Sequence, residues 1–132
     1  MSIPESAVRL PFSAMPDLGY DDPVGMILRR EKKHTLRKTR VNTRYREVVA
    51  NGKRTGIILE ITGCYPMTPD EYLTNEFARA DGLRDAQAMA EITRRFYGEP
   101  PDPMWRIEFE VARAPAELVE RANRNDQEAM EI

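Results

Sequence analysis

The sequence predicts an α+β domain: a small antiparallel barrel with helices packed on it. Three observations predict it. Asn51-Gly52 stands between two β-rich runs, RYREVVA and KRTGIILEITG. That pair marks a hairpin, because both turn residues tolerate positive φ. MWRIEFEV at 104–111 alternates apolar and charged side chains, as a half-buried strand does. Between these runs, Met89, Ile92 and Phe96 recur at helical spacing.

In chain order, residues 1–20 read as an irregular or weakly extended arm. The domain proper spans 21–113, and a C-terminal helix or tail covers 114–132. Asp22-Pro23 supplies an N-cap and a first helical proline. The helix it opens carries Val24, Ile27 and Leu28 and is expected to run to about Lys33. His34-Thr35-Leu36-Arg37 starts a strand or a tight extended segment. The hairpin strands fall near 45–50 and 53–62. Thr68-Pro69-Asp70-Glu71 is a capping box, opening a helix to about Ala80 with Gly82 as its stop. Asp85 caps a further helix that ends at Gly98, and EPPDP is a stiff connector. In the strand that follows, Trp105, Ile107, Phe109 and Val111 face one way. Pro115 opens a final polar helix.

Length and composition bound the function. A chain of 132 residues, 41% hydrophobic, suits one folded domain. No apolar run approaches the roughly 20 residues of a membrane span, and the first residues lack a basic start followed by an apolar block. With Cys64 as its one cysteine the chain forms no internal disulfide, and a cytoplasmic setting is expected. Net charge is −2, but it is segregated: Arg29 to Arg54 holds eleven Lys or Arg against two acids. Such a segment suits a polyanion, unless an acidic face of the same chain neutralises it. No His, Cys or Asp cluster has metal-ligand spacing and there is no Gly-rich phosphate loop, so no metal and no cofactor are expected.

Four pieces resemble the ASCH domain, the activating-signal-cointegrator homology family, whose fold is PUA-like. The first is KKHTLRK at 32–38, in the frame G-x-K-x-x-(E/T)-x-R, occupied here by Arg30, Lys32, Thr35 and Arg37. The second is GIILEITGCYPMT at 56–68, similar to the family's central strand. The third is RADGLRDAQAMAEITRRFYG at 79–98, similar to its acid-Gly-hydrophobic, helix, Tyr-Gly segment. The fourth is WRIEFEV at 105–111, similar to its closing strand. The resemblance covers about residues 23–112 and implies a PUA-like antiparallel β-barrel with flanking helices. It also implies RNA or nucleotide binding. A subset of the family resembles amidohydrolases of N4-acetylcytidine working through Lys, Thr and Glu, and ribonuclease activity is a further implication. Lys32 and Thr35 match the first two groups. The glutamate is expected about nine residues before Tyr97, where Ala88 stands, with Gln87 and Glu91 nearby. If the chain is an enzyme, the catalytic candidates are therefore Lys32, Thr35 and Glu91.

The residues themselves allow a binding reading. In an extended segment, residues two apart share a face, so Thr35 and Arg37 point into one cavity, which Lys32 reaches from the preceding helix. Arg37 offers a planar fork and Lys32 a point charge. Arg30, Lys33, Lys38, Arg40 and Arg44 then follow a nucleic-acid backbone, and Tyr45 stacks on an unpaired base. The blander reading is a solvated basic face; another is a protein-interaction module docking on an acidic partner. His34 alternates with Thr35 and is expected to face away from it, as a packed or surface side chain. Cys64 reads as an inert thiol, and Trp105 as core.

Overall fold

The computed structural model describes residues 3–5 and 7–131. The order is β1 (Val8–Phe12), a 3-10 turn (Pro16–Leu18), α1 (Pro23–Leu28), β2 (His34–Arg37), β3 (Tyr45–Ala50), β4 (Lys53–Met67), α2 (Pro69–Tyr72), α3 (Asn75–Ala80), α4 (Ala86–Tyr97), β5 (Met104–Arg113) and α5 (Ala116–Glu131). The five strands form one sheet in the order β1-β3-β4-β5-β2. The α+β class and the barrel-like sheet with flanking helices are those expected. The sheet is mixed rather than wholly antiparallel: β1 lies parallel to β3, and the other pairs are antiparallel. Its end strands are tied by one side chain, Arg37 of β2 donating from Nη2 to the Pro11 carbonyl of β1 at 2.6 Å. Strands at opposite ends of the order meet only if the sheet curls, so this is an open half-barrel with a seam between β1 and β2.

The hairpin forms where Asn-Gly places it. Asn51 and Gly52 have φ of 50° and 81°, the two left-handed residues that match the twist of the flanking strands. β4 runs on to Met67, beyond the expected 62, because residues 63–67 pair with 104–108 of β5. Thr62 is bulged out of that pairing. Val111 is 38% exposed although it pairs with the buried Leu59, at the point where a further register shift begins. The arm at 1–20 holds β1 and the 3-10 turn and so carries regular structure.

Two helices differ from expectation. α1 stops at Leu28, not near Lys33. Arg30 takes a left-handed φ of 62°, its N–H donates to the Ile27 carbonyl, and the Glu31 N–H donates to the Met26 carbonyl at 2.8 Å. That is a Schellman stop, with arginine where glycine is usual. The helix expected from Thr68 to Ala80 is two helices, α2 and α3, with Thr74 recapping the second through its hydroxyl to the Phe77 N–H. Asp22 and Asp85 cap α1 and α4 as read, accepting from the Gly25 and Ala88 N–H groups.

Apolar burial gathers in two clusters. One joins Leu10, Phe12, Val48, Ile57, Leu59 and Phe109 of the sheet to Ile27 of α1. The other joins Tyr72, Phe77, Ala78, Leu83, Ala88 and Met89 of the α2–α4 segment to Leu18, Tyr20 and Met104. Among the described residues no helix is long and apolar enough to cross a membrane.

Candidate functional site

Where the two clusters meet, at the seam, lies a cavity of about 300 Å³. Phe12 comes to it from one cluster and Tyr20, Leu83, Met89 and Met104 from the other. Into these apolar walls project Lys32, Thr35, Arg37 and Asp81.

Two helix ends deliver the charged pair. The Schellman stop of α1 turns the chain so that Lys32 points inward, with its N–H held 3.1 Å from the Met26 carbonyl. α3 ends in the same way: Gly82 takes φ 94°, Gly82 N–H donates to Arg79, and Leu83 N–H donates to Ala78 at 2.8 Å. Asp81 is its C-cap residue. The Lys32 ammonium, 2% exposed, donates to the Asp81 carbonyl at 2.7 Å and to Asp81 Oδ1 at 3.0 Å. The Tyr20 and Phe12 rings flank it, with centroids 5.2 and 5.8 Å away. Burial lowers the proton affinity of Lys32, and the Asp81 carboxylate opposes that shift. Burial also raises the Tyr20 phenol, with Asp81 adding to the rise, so the phenol stays neutral.

β2 supplies the remaining polar groups. The buried Thr35 hydroxyl accepts from Arg37 Nε at 3.2 Å, and the Arg37 guanidinium lies 4.9 Å from the Phe12 ring centroid. Burial lowers the Arg37 pKa, but guanidinium is basic enough to stay charged. His34 is packed, as expected: its ring stacks on Phe77 at 4.5 Å, and Nδ1 donates to Asp81 Oδ1 at 3.1 Å. Exposed Phe96 and Tyr97 at the end of α4 form the rim.

Of the candidates read from sequence, Lys32, Thr35 and Arg37 converge on the cavity. Glu91 does not line it; its carboxylate is taken up by Arg94 and Arg95 on the outer face of α4. Ala88 is buried in the helical cluster. The basic run is dispersed. Arg30 and Lys33 line a different groove, between α1 and β5. Lys38 lies over Tyr97, Arg40 over the half-buried Trp105, and Arg44 over Tyr45 while pairing with Glu60.

Sequence reasoning missed Asp81 and Tyr20. Asp81 carried one local signal. An acid at a helix C-terminus faces the negative end of the helix dipole, so its presence there points to a cation nearby.

No family model and no curated protein matches the chain. Solved structures do share its fold. A DUF984 protein of Enterococcus faecalis is 16% identical, with a TM-score of 0.59 over 83% of this chain and 84% of that one. The ASCH domain of Lactobacillus crispatus is 19% identical, with a TM-score of 0.53 over 78% of this chain and 80% of that one. The chain therefore has the fold of the family that its signature residues resemble.

Proposed function

We propose, on the premise of the ASCH-domain fold, that the seam cavity binds a nucleotide or an unpaired RNA base. One observation carries this reading: the Lys32–Asp81 pair and the Thr35 hydroxyl project into an otherwise apolar, aromatic-walled cavity. Ligand pockets have that composition, apolar walls with a few convergent polar groups, and volumes from about 300 Å³ upward. Aromatic groups at the wall and rim suit a base, which stacks on one face and hydrogen-bonds along its edge.

The test is calorimetry with cytidine monophosphate and fluorescence anisotropy with a short single-stranded RNA. Thr35→Ala removes a polar wall group, and Ile92→Trp fills the cavity from α4. Both variants are expected to fold and to lose binding by at least about tenfold, or 1.4 kcal/mol. Unchanged affinity in folded Ile92→Trp rejects the cavity as the binding site.

A second reading, amide hydrolysis on an N4-acetylcytidine-type nucleoside, is favoured by the Asp81 carboxylate within hydrogen-bond reach of Lys32. In it Lys32, as the neutral amine, accepts the proton of the Thr35 hydroxyl as that oxygen adds to the acyl carbon. Asp81 stabilises the resulting ammonium. The acyl C–N bond then breaks as that proton passes to the departing cytidine nitrogen, and water hydrolyses the acyl-threonine to acetate. Turnover of N4-acetylcytidine that vanishes in Thr35→Ala is the expected outcome. No release of cytidine at high enzyme concentration rejects it.

A further inference from the structure

The charges around the cavity do not balance. Lys32 and Asp81 cancel, and the Asp81 Oδ1 that pairs with Lys32 also accepts from His34. Tyr20 contributes a neutral phenol. Arg37 is left over. Its Nε and Nη2 donate to neutral oxygens, the Thr35 hydroxyl and the Pro11 carbonyl. Among the described residues no carboxylate forms an ion pair with it. More exposed arginines are better compensated: Arg54 pairs with Glu47 and Arg95 with Asp17. A half-buried guanidinium facing a cavity with no carboxylate in contact, the nearby Asp81 being engaged by Lys32 and His34, is a place prepared for an anion, because the desolvation cost has already been met within the folded protein.

We propose that the ligand is an aromatic anion whose phosphate or carboxylate docks on Arg37. This rests on the reading of the cavity as a binding site, and it separates charged from neutral ligands within that reading. The guanidinium plane is held in place by the Phe12 ring and by the Thr35 and Pro11 oxygens. A planar oxyanion therefore meets a fork of fixed orientation. The ligand body lies against Met15, Met89, Ile92 and Met104, which offer it only apolar surface. A neutral nucleoside fills that space and leaves the Arg37 charge uncompensated.

Calorimetry on the wild-type protein at low salt decides the matter with three probes: cytidine, cytidine monophosphate and benzoate. Cytidine monophosphate, benzoate or both are expected to bind at least about tenfold more tightly than cytidine, since charge-assisted contacts are about twice as strong as neutral ones. Arg37→Gln is expected to erase that preference, and Arg37→Lys to keep part of it. The wild-type comparison stands even if a variant fails to fold. Tight binding of the monophosphate alone supports a phosphate. Binding of benzoate alone supports a carboxylate and removes the nucleobase reading. Equal affinity for cytidine and its monophosphate overturns the anion while leaving that reading intact. Absence of binding by all three overturns both.

Discussion

An ammonium group as buried as that of Lys32 survives only because Asp81 meets it with two oxygens. Removing one partner of such a pair leaves a bare charge in a low-dielectric place. Asp81→Ala is expected to lower stability by about 3–5 kcal/mol in urea unfolding. Lys32→Met combined with Asp81→Asn is expected to be less destabilised than Asp81→Ala alone; an equal or larger loss would show that the cost lies elsewhere. At Arg30 the opposite change is expected. A side chain at φ 62° is strained where glycine is not. Arg30→Gly is expected to raise the urea midpoint, by about 0.5–1 kcal/mol in stability, with the slope unchanged. At this scale the sequence was partly readable. Lys32, Thr35 and Arg37 converge through local spacing, whereas Asp81 lies 49 residues from Lys32 and meets it only through the tertiary fold.

Among the elements, the hairpin shows how buried charge is managed away from the cavity. Glu47 of β3 is 1% exposed and takes a two-pronged contact from Arg54 of β4, at 2.9 and 2.8 Å. The two residues face each other across a register shift. The Arg54 hydrogen bonds hold the Glu47 carboxyl below its ordinary value of 4.5. A depressed acid contributes its stability in full above the unfolded value and loses it as pH falls through the folded one. Thermal unfolding is therefore expected to show a drop in Tm below about pH 4.5 that Glu47→Gln reduces. If the two acid profiles superimpose, Glu47 is not the group responsible. The hairpin and α4 were legible because Asn-Gly and the Asp85 cap are local signals. β1 was not, because the partner strand that makes it a strand is distant in sequence. The extension of β4 through Gly63 and Pro66 was hidden too, since those residues read as a break until β5 pairs with them.

For the whole molecule, the basic segment that stands out in the sequence is spread over several places rather than gathered at one. Its side chains go to the cavity, to the groove between α1 and β5, and to pairs with Glu60 and Glu47. Charge density along a chain says little about charge density in space once strands turn it to several faces. The affinity for single-stranded RNA is expected to fall with salt at a slope near that of one or two phosphate contacts, about −0.7 each. A slope equivalent to six or more contacts would mean that the dispersed cations act together after all.

The parallel placement of β1 also bears on the order of assembly. Each of its residues pairs with one 38 positions further along, as Val8 does with Arg46, whereas the neighbouring hairpin closes through two. Bringing distant segments together carries the larger loop-closure entropy and is slower. Pro11 and Phe12 belong to that strand, and Thr35 and Arg37 to β2, which pairs with β5 across a still longer stretch, as Thr35 does with Ile107; all four residues line the cavity. A refolding chain thus closes the cavity wall only after these distant pairings have formed, and binding at the proposed site is expected to report finished folding.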